Sequence, residues 1–237
     1  MDETTRALPE SEINAVVVFS GGIDSTTLLY RVLDEGYTVH AVSFDYGQRH
    51  TRELDAARTI TALLDVKHSV IDLSALHPFL ASALTDATRP VPHGHYAEEN
   101  MRQTVVPNRN AIMLAIAWGM ATAEGAEIVA TGVHAGDHFI YPDCRPEFIA
   151  ALQYAFRLGT TGHADPTLRL YTPYLNQTKI EIAQDGTRLG VPYDLTWTCY
   201  EGGEVHCGVC GSCQERREGF RLAGVPDPTR YANLTVY

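Results

Sequence analysis

The sequence predicts an α/β protein with a doubly wound, mostly parallel sheet and a small cysteine-rich element at its C-terminal end. Three observations lead to this prediction. Short apolar runs alternate with amphipathic helical segments across residues 15–190. A glycine-rich turn joins the first apolar run to the first helix, and four cysteines fall within residues 199–213.

Apolar runs and helical periodicity predict the order of the elements. Residues 15–19 are continuously apolar, as expected of a central parallel strand. Further strands are predicted at residues 38–44, 68–73, 127–133 and 168–174. Helices are predicted at residues 24–34, 53–64, 108–124, 146–158, 179–189 and 215–222.

Proline and glycine positions indicate how the chain is divided. Residues 1–14 are expected to be a polar tail and residues 15–190 an α/β domain. Four prolines and Gly94 interrupt the alternation over residues 74–107, which predicts a long insertion that covers a site. Residues 191–237 are expected to form a cysteine-rich element and a terminal tail.

Composition narrows the functional classes. The 237 residues carry a formal net charge of −11, which argues against a surface that follows nucleic-acid phosphates. The N-terminus lacks the pattern of a signal peptide, and the longest apolar stretch, residues 111–123, is too short to cross a membrane. We therefore expect a cytoplasmic protein whose five cysteines are thiols or metal ligands rather than disulfides.

The turn after the first strand has the features of a phosphate-binding loop. Two glycines allow close backbone approach, the following helix offers unpaired N–H groups, and hydroxyls add donors. The turn matches neither a Walker loop nor a dinucleotide fingerprint, and it resembles the SGGxDS motif of the PP-loop ATPases, a HUP-like fold. That resemblance implies cleavage of ATP between its α and β phosphates. Predicted nucleotide contacts are Phe19, Ser20, Gly21, Gly22, Ile23, Asp24, Ser25, Thr26, Thr27, Leu28 and Leu29.

The cysteine cluster predicts a metal site. Cys199, Cys207, Cys210 and Cys213 suit one tetrahedral, structural zinc ion. An iron–sulfur cluster is the alternative, although the run does not continue as it does in ferredoxins. His206 is a possible substitute ligand that we expect to be a bystander. Cys144 stands apart, either as a nucleophile or, as we expect, as a small buried thiol.

Together these motifs resemble the QueC family over residues 16–220. The matching segments are residues 19–27, 44–50, 106–110, 131–133, 141–145, 147–148, 172–173, Lys179 and residues 199–200 leading into the cysteines. The resemblance implies a ligase that forms carbon–nitrogen bonds, converting 7-carboxy-7-deazaguanine to its nitrile with ammonia and ATP on the path to queuosine-type nucleosides. It further implies Mg²⁺, a homodimer, small-molecule substrates, and no membrane or nucleic-acid partner.

Residue roles follow from the same resemblance. Asp24, Arg109 and Lys179 are the candidate catalytic residues, with Asp24 helping to place Mg²⁺ and the two cations meeting phosphate or developing negative charge. Asp143 is expected to accept hydrogen bonds from the guanine-like edge of the substrate, and Arg145 is expected to pair with the substrate carboxylate. The candidate substrate residues are Asp45, Gln48, Arg49, Asp137, Asp143 and Arg145.

Three alternatives remain open from the sequence. Residues 138–140 depart from the Ser-Gly pair common in the family, so the enzyme could stop at the amide or join the activated acid to another amine. A PP-loop enzyme that thiolates tRNA also combines this loop with cysteines. The third alternative is a zinc-stabilised nucleotide sensor without turnover.

Overall fold

The computed structural model describes residues 13–80, 82–86, 88–95 and 99–235. Most of the polar tail expected at residues 1–14 therefore lies outside the described residues. The described chain contains five strands and six α-helices. The strands are β1 (Ala15–Val18), β2 (Val39–Asp45), β3 (Lys67–Asp72), β4 (Ile128–Ala130) and β5 (Arg169–Tyr171). The helices are α1 (Ile23–Asp34), α2 (Arg52–Leu63), α3 (Arg109–Glu124), α4 (Pro146–Gly159), α5 (Lys179–Arg188) and α6 (Gly211–Ala223).

The strands form one parallel sheet in the order β3-β2-β1-β4-β5. The chain moves outward through β2 and β3 and then returns to the other side of β1, so the strand order reverses between β1 and β4. Doubly wound sheets bind ligands at the carboxyl ends of the strands beside such a reversal. This topology confirms the predicted fold class and marks the loops after β1 and β4 as the place to look for a site.

Alternate residues of the central strands point to opposite faces of the sheet, and each face has its own core. Val16 and Val129 pack with the helices α3 and α4, whereas Val17 and Ala130 pack with α1, α2 and α5. Continuous apolar strands are therefore needed because helices cover both faces.

The segment predicted as an insertion contributes to the first of these cores. Leu84 and Met101 are almost fully buried beside α3, and two 3₁₀ helices, Ser74–Phe79 and Glu99–Thr104, supply its regular structure. Apolar side chains hold the segment against the end of the sheet where the strands terminate.

Several element boundaries differ from those predicted. β4 and β5 are shorter, since pairing ends where Thr131 N–H donates to Tyr171 O and a turn begins at Thr172. The last helix begins at Gly211 rather than residue 215, because the cysteine loop leads into it directly and Gln214 N–H bonds to Cys210 O at 3.0 Å. No helix within the described residues has the length and apolar character needed to span a membrane.

Candidate active site

A cleft of about 220 Å³ opens at the carboxyl ends of β1, β2 and β4. The loop after β1 forms one end of the cleft, and the start of α3 lies at the other. The loop after β4 and the segment that leads into the cysteine cluster form its walls. The cleft therefore lies where the sheet topology places a ligand.

The glycine-rich loop is held tightly against the first turn of α2. Gly21 has φ +80°, and a Cβ there would lie 2.5 Å from Glu53 O, so any larger residue would both strain and clash. Ser20 Oγ accepts from Gly22 N–H at 3.3 Å and lies 3.1 Å from Ser25 Oγ. Hydroxyls and helix N-terminal N–H groups thus converge where a phosphate would bind.

The predicted nucleotide residues separate into two groups. Those that line the cleft are Phe19, Ser20, Gly22, Ile23, Asp24 and Ser25. Leu28 and Leu29 are buried in the core, and Thr27 donates its hydroxyl to Ile23 O at 2.8 Å. The Thr26 hydroxyl is buried without a hydrogen-bond partner among the described residues. The second group supports the helix behind the loop.

Two candidate catalytic residues, Asp24 and Lys179, form an ion pair beside the loop. Lys179 Nζ lies 2.6 and 2.7 Å from the two carboxylate oxygens of Asp24 and 3.3 Å from Glu215 Oε2. Burial alone would raise the pKa of Asp24, but Lys179 and His134 outweigh it and lower this pKa. Burial would lower the pKa of Lys179, yet Asp24 and Glu215 raise it, so the ammonium stays charged.

His134 and Glu215 complete this charged cluster, and neither was identified from the sequence. His134 Nε2 lies 3.6 Å from Asp137, 3.8 Å from Glu215 and 3.9 Å from Asp24. Burial raises the pKa of Glu215, with Lys179 and His134 opposing that rise. His134 directly follows the Thr-Gly-Val segment matched to the family, and Glu215 comes two residues after the last cysteine. This proximity to the matched motifs is the sequence signal by which His134 and Glu215 could have been identified.

The third candidate catalytic residue, Arg109, lies at the other end of the cleft among tyrosine hydroxyls. Its Nη1 donates to the Tyr46 hydroxyl at 3.4 Å, and the Tyr141 and Tyr200 hydroxyls lie 3.5 Å apart nearby. No carboxylate of the described chain forms a salt bridge with Arg109. Burial raises the pKa of Tyr46 to about 12 despite the guanidinium, so the hydroxyls stay neutral. A guanidinium without an acidic partner is a ready site for an anion.

A histidine–glutamate pair lies between these two ends. His50 Nε2 is 3.3 Å from Glu53 Oε2, and both side chains line the cleft. Gln48 donates to Glu53 Oε1 at 3.1 Å and to Phe44 O at 3.0 Å, which holds the glutamate in place. Gln48, a candidate substrate residue, is itself buried in this turn and does not line the cleft.

The other candidate substrate residues are mostly engaged in shaping loops. Asp45 accepts from Gly47 N–H at 3.1 Å, and Arg49 donates to Arg89 O at 2.7 Å. Asp143 accepts from Asn110 N–H at 3.0 Å, and Arg145 donates to His138 O at 2.9 Å. Of the six candidates, only Asp137 lines the cleft. Substrate contact by the other five stays a prediction, and their present contacts favour a supporting role.

The four cysteines come together as a compact ligand set. The sulfur atoms of Cys199, Cys207, Cys210 and Cys213 all lie within 4.8 Å of one another. Backbone N–H groups of Cys207 and Cys210 point at neighbouring sulfurs at 3.3 Å, which favours thiolates. This spacing fits a closed tetrahedral zinc site. His206 lies outside the set, since its Nε2 accepts from Thr198 N–H at 3.1 Å.

Cys144 is a buried thiol in the cleft wall. Burial raises its pKa, and Asp137 and Asp143 raise it further, so the nucleophilic thiolate is not populated near neutral pH. Asn110 Nδ2 donates to the sulfur at 3.2 Å. This environment agrees with the prediction of a small buried thiol.

Comparison with known proteins identifies close relatives. The family model described as "Queuosine biosynthesis protein QueC" matches residues 14–224. The 7-cyano-7-deazaguanine synthase of Chelativorans sp. (strain BNC1) is 56% identical over 222 residues, covering 93% of this chain and 94% of that protein. The enzyme of the same name from Brucella anthropi is 54% identical over 226 residues, covering 95% and 96%.

A solved structure shares the fold at much lower identity. NMN synthetase from Francisella tularensis superposes with a TM-score of 0.50 at 16% sequence identity, covering 91% of this chain and 79% of that chain. At this identity the likeness supports the architecture alone.

Proposed function

The chain belongs to the QueC family, and on that premise we propose that it is a 7-cyano-7-deazaguanine synthase. It is an ATP-dependent ligase that forms carbon–nitrogen bonds. Its substrates are 7-carboxy-7-deazaguanine and ammonia, and its product is the nitrile used for queuosine-type nucleosides. The reaction passes through an adenylated acid, an amide and an adenylated amide.

One observation carries this proposal: a single cleft joins the phosphate loop to Arg109. The loop and the Lys179 ammonium suit the phosphates of ATP. Arg109, which has no acidic partner among the described residues, suits the carboxylate of the second substrate. The apolar side chains between them, Val18, Phe44 and Met113, offer surface to a planar base.

Activation of the acid follows from this placement. An oxygen of the carboxylate attacks the α-phosphorus, and pyrophosphate leaves toward the loop and Lys179, which stabilise its negative charge. Arg109 orients the acid so that the reacting atoms meet. Ammonia then displaces AMP, and the amide oxygen repeats the attack on a second ATP.

Two metal ions are part of the proposal. Mg²⁺ bound to ATP would offset phosphate charge, and the carboxylates of Asp24 and Asp137 would supply the oxygen ligands it prefers. The four cysteines would hold zinc in a structural role, because four thiolates make a closed tetrahedral ligand set. The segment it anchors reaches the loop, where Trp197 N–H donates to Gly21 O at 3.0 Å.

The alternatives are less well supported. Relatives at 54–56% identity carry the synthase name over nearly their full length, which favours the nitrile over an amide or a conjugate. The net charge of −11 disfavours a tRNA-thiolating enzyme, whose binding of tRNA would be tight and salt-sensitive. A sensor would bind ATP without releasing pyrophosphate.

Exchange of labelled pyrophosphate into ATP tests the adenylation step. We expect exchange only when 7-carboxy-7-deazaguanine and Mg²⁺ are both present. Exchange without the acid, or none with it, would refute the proposed substrate. Two compounds serve as controls: guanine has the base without the carboxylate, and benzoate has a carboxylate without the base.

The active form is proposed to be a homodimer that pairs through the outer face of α3 and α4. No charged residue occurs between Arg109 and Glu124, yet part of α3 is exposed. On α4, Tyr154 and Leu158 are 66% and 60% exposed. An apolar surface lets two acidic chains meet without opposing charges.

Light scattering during size-exclusion chromatography tests this assembly. Tyr154→Glu is expected to give monomers, whereas Thr59→Glu on the opposite face leaves dimers intact. A wild-type protein that elutes as a monomer at micromolar concentration would contradict the proposal.

A further inference from the structure

The cleft must distinguish two planar bases. Resting on the proposed function, it holds the adenine of ATP and the deazaguanine of the acid together, and both are bicyclic heterocycles of similar shape. Apolar side chains such as Met113 can contact the face of either base equally well. Selection therefore requires a polar group at an edge where the two bases differ.

Asn110 has an unpaired hydrogen-bond acceptor at the cleft. The residue follows Arg109 in the chain and lines the cleft with it. Its Nδ2 donates to Cys144 Sγ at 3.2 Å and to Asp143 O at 3.5 Å. Its Oδ1 has no hydrogen-bond partner among the described residues and retains accessible surface. A bound molecule can therefore reach this oxygen.

The neighbouring groups determine which end of the Asn110 amide stays unpaired. Asp143 O is a carbonyl oxygen and needs a donor, so rotating the amide by half a turn would set Oδ1 against another acceptor. The backbone N–H of Asn110 is held as well, since it donates to Asp143 Oδ2 at 3.0 Å. Contacts with Asp143 thus leave Asn110 with an acceptor to offer to a ligand.

Asp143 takes the place of a helix cap. The N–H of Asn110 is one of the first amides of α3, and such amides commonly donate to the side chain of the residue before the helix. That residue, Asn108, has φ +55° and makes no such bond. Asp143 Oδ2 supplies the missing acceptor from another loop. The carboxylate that was expected to contact the base is therefore in contact with Asn110 instead.

The side chains of Arg109 and Asn110 extend to different walls of the cleft. Arg109 Nη1 donates to Tyr46, which follows β2, whereas the Asn110 amide lies against the loop after β4. With its carboxylate at Arg109, the acid directs its opposite edge away from Tyr46, and that edge carries the 2-amino group. Adenine has no amino group at this position. Deazaguanine can therefore satisfy the Asn110 acceptor there, and adenine cannot.

We propose that Asn110 is a specificity-determining residue, whose Oδ1 accepts a hydrogen bond from the 2-amino group of the acid, and that Asp143 is its positioning residue. The bond orients the base so that its carboxylate meets Arg109. It also excludes adenine from the site of the acid, because adenine would displace water from Oδ1 without supplying a donor.

The test compares two acids in exchange of labelled pyrophosphate into ATP. They are 7-carboxy-7-deazaguanine and 7-carboxy-7-deazahypoxanthine, which lacks the 2-amino group. The measured quantity is the ratio of their kcat/KM values, which does not depend on how much of a preparation is folded. We expect wild type to prefer the first acid roughly 3- to 10-fold, and Asn110→Ala to show a ratio of about 1.

Two variants of Asp143 test its positioning role. Asp143→Ala removes the acceptor for Asn110 N–H, and the preference is expected to fall below about twofold. Asp143→Asn keeps an oxygen acceptor there and should retain most of the preference. Asn176→Ala is the matched control and should keep the full preference, because Asn176 is exposed and lies outside the cleft.

The possible results separate this proposal from the proposed function. Loss of the preference in Asn110→Ala, with the control unchanged, supports the assignment. Equal use of both acids by wild type, or the full wild-type preference in Asn110→Ala, overturns it. If exchange by Asn110→Ala is too slow to measure, calorimetric binding of the two acids gives the same comparison. If wild type shows no exchange with 7-carboxy-7-deazaguanine, the proposed function fails instead.

Discussion

The ammonium of Lys179 lies 2.6 and 2.7 Å from the two carboxylate oxygens of Asp24, 155 positions earlier in the chain. The contact joins the first turn of α5 to the phosphate loop. Its approach depends on α6, where a Cβ at Gly219 would lie 2.5 Å from Lys179 Cγ. Three helices from distant parts of the sequence therefore determine where this cation lies relative to bound phosphate.

Replacing Lys179 with methionine should abolish most adenylation. The apolar stem remains, but the loop loses the cation that stabilises leaving pyrophosphate, and the expected loss is at least about 100-fold in exchange rate. Lys67 is the only other lysine of the chain, and its ammonium pairs with Glu124 at the surface. Lys67→Met should leave exchange unchanged. Equal effects of the two substitutions would show that Lys179 has no special role.

Replacing Arg109 with lysine should weaken binding of the acid more than binding of ATP. Lysine keeps the charge but cannot form two parallel hydrogen bonds to a carboxylate. At roughly 1.5–3 kcal/mol for a charge-assisted bond, the KM for the acid should rise about 10- to 150-fold. The KM for ATP is expected to stay within about twofold. Arg102→Lys, at an exposed surface pair, is the control. A larger rise in the KM for ATP than in the KM for the acid would mean that Arg109 contacts the nucleotide.

Much of this site follows from local sequence, and the remainder requires the fold. The strand–turn–helix around Ser20 was predictable because the glycines, the hydroxyls and the apolar strand are adjacent. The cysteine set was predictable for the same reason. His134 follows β4 and Glu215 lies on α6, so only the fold brings their side chains to 3.8 Å, and no local pattern encodes this contact.

Gln48 was identified from its motif, but its role in the structure differs from the predicted one. Gln48 was expected at the substrate because it follows the second strand, where side chains face the crevice. Its amide instead bonds to the backbone of its own turn and to Glu53. Its position in the sequence places Gln48 beside Glu53, which lines the cleft, but the direction of the Gln48 side chain depends on the turn.

Loss of the metal site should destabilise the chain. Cys210→Ser removes one of four ligands, and we expect loss of zinc, measured by metal analysis of purified protein. At roughly 3 °C per kcal/mol for a chain of this size, several kcal/mol of lost metal binding lowers the unfolding temperature by about 10 °C. Cys144→Ser is the matched control, because that thiol lies outside the cluster. A full zinc complement in Cys210→Ser would contradict the assignment.

The contacts of Asp185 should make the free energy of unfolding depend on pH in the acid range. Burial would raise its pKa, but the Tyr174 hydroxyl at 2.7 Å and Arg188 at 2.9 Å lower it below 3.8. A folded pKa below the unfolded one gives stability that is present above about pH 4 and is lost as pH falls through the folded value. Asp185→Asn should therefore lower the free energy of unfolding at pH 7 by about 1 kcal/mol, because Arg188 is exposed and solvent screens its contact with the carboxylate.

Urea unfolding of wild type and Asp185→Asn between pH 7 and pH 3 measures this difference. The difference in the free energy of unfolding between wild type and Asp185→Asn should become smaller as the pH falls below about 4. Asp34→Asn, at an exposed carboxylate, should show a small gap throughout. A gap that widens in acid would mean that the pKa of Asp185 is raised rather than lowered.

The most direct test of the proposed function is mass spectrometry of a reaction that contains 7-carboxy-7-deazaguanine, ATP, Mg²⁺ and ¹⁵N-ammonium. The proposed mechanism gives a ¹⁵N-labelled nitrile, with two AMP and two pyrophosphate released for each nitrile. Labelled amide that never proceeds to nitrile, or unchanged acid with no pyrophosphate, would contradict it.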